Sequence, residues 1–162
     1  MKQKQRKAVW PWLLLAAALV VLDQLVKGWI QQVIPLYGTR PLLPGLLELT
    51  YVQNTGAAFS IFREHTWILA LISALASLAM LVLLLRRTLP GLLGQLSLSL
   101  VLGGAVGNLI DRCLHGFVVD MFNLQFMSFA VFNVADIAIS VGGVLLCIYV
   151  LFFWRKSGES AL

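Results

Sequence analysis

Three stretches of this chain carry no charged residue over lengths that could cross a lipid bilayer. They are residues 67–85, 92–110 and 137–154, and a spanning helix needs roughly 20 mostly apolar residues. Hydrophobic residues make up 60% of the chain and charged residues only 12%, whereas a soluble domain has about 45–50% and about 25%. A soluble protein of this size could not bury so much apolar surface, so lipid is the expected solvent.

A shorter apolar stretch near the N-terminus resembles a signal peptide, because four basic residues precede it. However, residues 9–22 are followed by Asp23, Gln24 and Lys27 and not by a small-x-small cleavage motif. Interpreted as an uncleaved span, this stretch completes an all-α membrane protein with four transmembrane helices in one integral membrane domain, residues 1–162. The predicted spans are residues 9–30, 67–86, 91–112 and 132–154.

The distribution of lysine and arginine predicts the orientation of these spans. Eight of the 12 basic residues lie in the N-terminal tail, the loop between spans two and three, and the C-terminal tail. Both termini are therefore expected in the cytoplasm, which an even number of spans allows. The basic residues flank membrane segments and form no patch with exposed aromatics, so no nucleic-acid partner is expected.

The long connection between spans one and two is expected on the extracytoplasmic side. It contains several helix-breaking proline and glycine residues. Residues 47–51 alternate apolar and polar side chains, which is typical of a strand. Residues 57–62 could form a second strand or lie in the membrane interface. We therefore expect a small β-sheet in region 36–64, between helices one and two.

Ionisable residues inside a membrane are energetically unfavourable and mark functional sites. Asp23 and Lys27 lie four residues apart on the first span and are interpreted as a structural ion pair. On the third span, Gly104, Asn108 and Arg112 share one helix face beside Asp111. Helix packing alone explains the glycine, but the three polar residues favour a polar pocket in which the arginine could bind a carboxylate or carbonyl groups.

Two further aspartates follow at the same end of the bundle. Asp120 has apolar neighbours but could also be an ordinary loop residue, whereas Asp136 lies in the first turn of span four, with Asn133 as a candidate N-cap. Two carboxylates forced together at low dielectric share one proton, so one acts as a base and the other as an acid. Spacing alone does not decide which two of Asp23, Asp111, Asp120 and Asp136 would pair.

Other functions are compatible with these residues alone. The four aspartates could line a proton or cation path in a small transporter, although the cytoplasmic halves of the spans are almost entirely apolar. A structural membrane subunit would use its polar residues only to hold helices together. No GxSxG, HExxH or GxGD motif occurs in the chain, so an enzyme of this composition would most simply use an aspartyl mechanism.

Four motifs, in order, resemble those of bacterial lipoprotein signal peptidase, also called signal peptidase II or prolipoprotein signal peptidase. They are residues 54–60 (NTGAAFS), 103–112 (GGAVGNLIDR), 118–120 (VVD) and 132–136 (FNVAD). Each motif is weakly specific, but the four in this order and spacing are highly specific. Asp23, Lys27 and the four-span layout also fit, so the resemblance covers essentially the whole chain.

The resemblance implies an aspartic endopeptidase of the bacterial inner membrane. Its substrates would be prolipoproteins whose cysteine carries diacylglycerol, and it would cut just before that cysteine. The catalytic pair would be Asp120 and Asp136, which demotes Asp111 to a supporting role. Asp23 and Lys27 would hold the site together. Positions that match the substrate and inhibitor pocket of the family are Asn54, Gly104, Asn108, Arg112, Asn133 and Ala135.

The resemblance also sets expectations about cofactors and partners. No cofactor and no metal would be needed, and membrane lipids would surround the enzyme. Nothing in the sequence requires more than a monomer. The active site would lie near the extracytoplasmic face, where the acyl chains of a substrate can stay in the bilayer.

Overall fold

The computed structural model describes residues 8–56 and 66–154. Within these residues the chain forms four helices that are long and apolar enough to cross a membrane, and one three-stranded sheet. The helices are α1 (Trp10–Val33), α2 (Thr66–Arg86), α3 (Leu92–His115) and α4 (Val134–Phe152). The strands are β1 (Thr39–Leu43), β2 (Leu47–Asn54) and β3 (Val118–Leu124). The predicted class, a helical membrane protein of four spans with a small sheet, is confirmed.

Helix α3 packs against the other three helices, and its glycines allow two of them to come very close. A Cβ atom added to Gly103 would lie 2.9 Å from the Cβ of Leu19 on α1. A Cβ at Gly104 would overlap the carbonyl oxygen of Ala135 on α4. Small residues at such positions let helix backbones approach within a membrane. Helices α1 and α4 are thus held tightly on either side of α3.

Helix α2 has a different role. Its only buried residues are Leu69, Ser77 and Leu84, and its large exposed apolar side chains are Trp67, Leu71, Ile72, Leu75, Leu78 and Leu85. Because these exposed side chains are apolar, they suit contact with lipid acyl chains. Helix α2 therefore presents an apolar surface on the outside of the bundle.

The sheet is antiparallel with the order β1-β2-β3, and it corrects one sequence-based expectation. The sheet was expected only between helices one and two, but β3 comes from the connection between α3 and α4. The side chains of residues 118–121 are all buried, so this segment lacks the alternation of buried and exposed residues that would have indicated a strand. The sequence alone left residues 121–130 open between strand, loop and interfacial helix, and the structure ends the strand at Leu124. The proposed strand at residues 57–62 lies outside the described residues.

An apolar cluster fixes the sheet to the bundle. Ile30 and Ile34 at the end of α1 pack against Leu49 of β2 and against Val119 and Met121 of β3. All five side chains are buried. Strand β3, which follows α3 in the chain, is thereby packed against one end of the helix bundle. Asp120 lies on this strand.

Two helix ends define how the chain enters and leaves β3. Helix α3 ends at Gly116, whose φ of 76° is the left-handed conformation that glycine adopts without strain. Helix α4 begins after Asn133, whose side chain accepts a hydrogen bond from the backbone N–H of Asp136. The Asp136 carboxylate in turn accepts from the backbone N–H of Asn133, completing a capping box. The end of α3 and the start of α4, between which β3 lies, are therefore both determined by local sequence.

Candidate active site

A cavity of about 930 Å³ lies where the sheet meets the C-terminal end of α3 and the N-terminal end of α4. This size is within the range of ligand-binding pockets, about 300–1,000 Å³. Asp120 and Asp136 both line it, together with Asn54, Asn108 and Arg112. Five of the residues singled out from the sequence thus face a common space.

Asp120 on β3 is buried, with 2% of its surface exposed. Its Oδ2 accepts a hydrogen bond of 2.8 Å from the Asn54 side chain, and its Oδ1 accepts one of 2.7 Å from the Asn133 side chain. Burial and the neighbouring Asp136 raise the pKa of Asp120 to about 7, against the lowering effect of the two amide donors. Asp120 therefore changes its protonation state near neutral pH.

Asp136 occupies the first turn of α4 and is only partly buried. Its Oδ1 accepts a hydrogen bond of 2.8 Å from the Asn108 amide, and its Oδ2 accepts one of 3.1 Å from the backbone N–H of Asn133. The N-terminus of a helix also stabilises negative charge. These donors hold the Asp136 carboxylate in a fixed position at the start of α4.

Three asparagine side chains present their NH₂ groups to the two carboxylates, and each is oriented by a group that can only donate. The carbonyl oxygen of Asn54 accepts from the backbone N–H of Gly56 at 2.9 Å. That of Asn133 accepts from the backbone N–H of Asp136 at 2.9 Å. That of Asn108 accepts from the Lys27 ammonium at 3.0 Å. Because these donors cannot accept, the NH₂ group of each amide must point towards the carboxylates.

Behind the cavity, Asp23, Lys27 and Asp111 form a buried charged cluster. The Lys27 Nζ lies 2.7 Å from Asp23 Oδ2 and 2.9 Å from Asp111 Oδ2. All three side chains are at least 97% buried. The ion pair predicted between Asp23 and Lys27 is therefore present, and Asp111 joins it from α3.

Both carboxylates of this cluster also hold a backbone group beside a cavity aspartate. Asp23 Oδ1 accepts a hydrogen bond of 2.9 Å from the backbone N–H of Ala135, next to Asp136. Asp111 Oδ2 accepts one of 3.1 Å from the backbone N–H of Val119, next to Asp120. The cluster therefore positions the segments that carry Asp120 and Asp136.

Gln24 was not singled out from the sequence, although the structure places it in this cluster. Its Nε2 donates to Asp111 Oδ1 at 2.8 Å and to the carbonyl oxygen of Gly107 at 3.2 Å. A polar residue between Asp23 and Lys27 in a spanning helix was the available signal.

Other predicted site residues lie beside the cavity. Gly104 and Ala135 form the close contact between α3 and α4, and Asn133 is buried beneath Asp120. Arg112 faces the cavity with few partners: its Nη1 lies 3.4 Å from both Ser73 Oγ and the Asn108 carbonyl oxygen. Its Nε is buried without a hydrogen-bond partner among residues 8–56 and 66–154. Over those ranges, no group of three or more His, Cys, Asp or Glu side chains could hold a metal ion.

Together, the fold and the site define a multi-pass membrane protein with two carboxylates facing a cavity at one end of its helix bundle. A family model described as signal peptidase (SPase) II matches residues 15–152. The chain therefore belongs to the signal peptidase II family and is a membrane peptidase.

Similar proteins and structures agree with this assignment. The chain is 42% identical over 146 residues to the lipoprotein signal peptidase of Clostridioides difficile (strain 630), covering 90% of this chain and 98% of the relative. It is 44% identical over 133 residues to that of Streptococcus pneumoniae (strain ATCC BAA-255 / R6), covering 82% and 87%. A solved bacterial membrane enzyme, determined by the in meso method at 2.3 Å, superposes with a TM-score of 0.82 at 29% identity, covering 87% of each chain. The transporter alternative finds no support in these comparisons.

Proposed function

We propose that this protein is an aspartic endopeptidase that removes the signal peptide from diacylglyceryl-modified prolipoproteins, cutting just before the lipidated cysteine. Asp120 and Asp136 are its catalytic pair. The observation that carries this proposal is the arrangement of the two carboxylates. They line one cavity, and the Asn133 residue that donates to Asp120 also caps the helix whose first turn contains Asp136.

The different surroundings of the two carboxylates suggest their roles. Asp136, with its helix N-terminus and backbone donor, is the base. Asp120, buried and with a pKa raised to about 7 by that burial and by Asp136, carries the shared proton. A carboxylate kept neutral by an apolar site can serve as a general acid near neutral pH.

The reaction then needs only water and these two groups. Asp136 takes a proton from a water molecule while the oxygen of that water bonds to the scissile carbonyl carbon. Asp120 protonates the carbonyl oxygen, and the product is a diol. In the second step Asp136 returns its proton to the amide nitrogen. Asp120 recovers a proton from one diol hydroxyl as the C–N bond breaks. Both carboxylates end in their starting states.

The remaining residues of the cavity fit a peptide substrate. Arg112 carries a buried Nε without a partner among the described residues, and a guanidinium suits the carbonyl groups of an extended peptide. We propose that Asn54, Asn108 and Arg112 contact the substrate side of the cavity, whereas Asp23, Lys27, Asp111, Asn133, Gly104 and Ala135 support it. The enzyme would be a monomer with a single integral membrane domain. It would lie in the bacterial inner membrane, surrounded by lipid. Both termini would be cytoplasmic, and the cavity would lie near the extracytoplasmic face.

A gel-shift cleavage assay tests the catalytic pair. Purified protein in detergent is given a diacylglyceryl-modified prolipoprotein, and Asp120→Asn and Asp136→Asn are compared with the wild type. Each variant should lower the cleavage rate by at least about 10³-fold, because an amide can neither activate water nor donate the shared proton.

The control for this assay is Glu48→Gln, which changes a carboxylate of the sheet outside the cavity. Its Oε1 accepts a hydrogen bond from Asn123, which glutamine can preserve. This variant should cleave at the wild-type rate. Near-normal cleavage by folded Asp120→Asn or Asp136→Asn would reject the catalytic pair, and a wild-type protein that does not cleave the modified substrate would reject the proposed function.

A further inference from the structure

Lys27 makes contacts that go beyond an ion pair within α1. An ammonium group has three protons to donate and no lone pair to accept with. Here the three acceptors within reach are Asp23 Oδ2 at 2.7 Å, Asp111 Oδ2 at 2.9 Å and Asn108 Oδ1 at 3.0 Å. The two carboxylates come from different helices and are themselves bonded to backbone N–H groups. The ammonium is therefore fixed in place, and its third proton points at Asn108.

The contact with Asn108 determines what that amide can do. Its oxygen faces Lys27, so its NH₂ group faces Asp136 Oδ1 at 2.8 Å. If the amide were rotated by half a turn, an NH₂ group would face the ammonium and a carbonyl oxygen would face the Asp136 carboxylate. Both contacts would then be repulsive. The Asn133 side chain also donates to Asn108 Oδ1, but at a longer 3.2 Å and from an amide that is shared with Asp120.

We propose that Lys27 is a positioning residue for the reaction, which acts through the Asn108 amide to hold the Asp136 carboxylate in its base geometry. This inference rests on the proposed function, because it assigns Asp136 as the base. Lys27 does not line the cavity. Asn108 is the most direct route to the chemistry, because the other contacts of Lys27 reach the cavity aspartates only through a second carboxylate and a backbone N–H.

A double-mutant cycle between Lys27 and Asn108 tests this route. Lys27→Met and Asn108→Leu remove the ammonium and the amide while keeping similar side-chain volumes. Lys27→Met should lower kcat for the lipid-modified substrate by about 10- to 100-fold with little change in KM, since a misplaced catalytic group slows chemistry. Asn108→Leu should lower kcat at least as much. The double variant should be no slower than Asn108→Leu alone, because the amide through which Lys27 acts is already missing.

Lys27→Met leaves two buried carboxylates without a counter-ion and could fail to fold for that reason. The second variant is Lys27→Met/Asp111→Asn, compared with Asp111→Asn. In the wild type, Lys27, Asp23 and Asp111 together carry a net charge of −1. In Lys27→Met/Asp111→Asn, Asp23 alone carries the same net charge. Lys27→Met/Asp111→Asn should have a lower kcat than Asp111→Asn and the same KM. This difference in kcat should disappear when both proteins also carry Asn108→Leu.

The outcomes separate this inference from the proposed function. Additive losses in kcat, or a loss confined to folded yield with normal kcat per folded enzyme, would overturn the role of Lys27. That result would leave the catalytic pair standing if Asp120→Asn and Asp136→Asn are inactive. Failure of the wild type to cleave the substrate would instead reject the function itself.

Discussion

At the residue scale, the two cavity carboxylates differ because their backbones differ. Asp120 extends from a strand whose neighbouring side chains are buried, and the donors that reach it are side-chain amides. Asp136 lies in the first turn of a helix and accepts a hydrogen bond from a backbone N–H as well as from a side-chain amide. One carboxylate is therefore held by groups that a single substitution can remove, and the other is held partly by the main chain.

This difference makes the pH dependence of cleavage adjustable at Asn54. Asp120, whose pKa is raised to about 7 by burial and by Asp136, must keep its proton to act as the acid, so kcat/KM should fall as pH rises through about 7. The hydrogen bond from Asn54 stabilises the ionised form and so lowers the pKa of Asp120. Asn54→Leu removes this bond and should move the alkaline fall in kcat/KM to higher pH. The measurement is kcat/KM across pH about 5 to 9.

The matched control for this prediction is Asn123→Leu. Asn123 lies on the same strand as Asp120 but donates to Glu48. Its replacement should leave the alkaline limb where it is in the wild type. An alkaline limb that stays fixed, or moves to lower pH, in Asn54→Leu would contradict the assignment of that limb to Asp120.

At the element scale, the close approach of α3 and α4 is what brings Asn108 to Asp136. Gly104 allows it, because a Cβ there would overlap the Ala135 carbonyl oxygen, which is backbone and cannot rotate away. Gly104→Ala should therefore push α4 outwards and lower kcat/KM by about 10²-fold or more, the effect of misplacing a catalytic group by about 1 Å. Cleavage of the lipid-modified substrate is the measurement.

Gly143→Ala provides the comparison on α4 itself. A Cβ at Gly143 would meet no atom within 4 Å, so this variant should retain wild-type cleavage and thermal stability. Equal activity in Gly104→Ala and Gly143→Ala would show that the helix contact is not needed for the site.

The elements that the sequence predicted best were those with a strong one-dimensional signal. Charge-free runs indicated the spans because a bilayer demands length and low polarity. The alternation in residues 47–51 indicated part of β2. Strand β3 escaped prediction because it is buried along its first four residues, and its pairing with β2 joins residues far apart in the chain.

The site was predicted to a similar extent. Residues that lie one helical turn apart, such as Asp23 and Lys27, could be paired from spacing alone. The addition of Asp111 to that pair, and the donation of Asn54 to Asp120 across 66 positions, depend on tertiary packing. Amide orientation in particular cannot be inferred from a sequence, because it is fixed by donors on other elements.

At the scale of the whole molecule, the polar groups gather at one end of the bundle and the proposed orientation places that end outside the cytoplasm. Cys113, exposed in the last turn of α3, provides a label at that end. In a Cys147→Ala variant, a membrane-impermeant maleimide should label Cys113 in spheroplasts, where only the outer face is accessible. Mass shift of the purified protein measures the labelling.

Sealed inside-out vesicles provide the opposite exposure. Cys113 should stay unlabelled in them until detergent opens the membrane. Labelling in intact inside-out vesicles together with protection in spheroplasts would mean that the termini and the cavity lie on the sides opposite to those proposed. The basic N-terminal and C-terminal tails that support this orientation lie outside the described residues.

The hydrogen bond from the Ala135 N–H to Asp23 has a consequence for biosynthesis. It joins α1 to α4, the first and last helices among the described residues, and Asp136 directly follows Ala135. A chain that is still emerging from the ribosome holds Asp23, Lys27 and later Asp120, but it lacks the partner that completes the carboxylate pair. With Asp120 and Asp136 as the proposed catalytic pair, hydrolysis is expected to begin only after α4 has been made and has packed against α1 and α3.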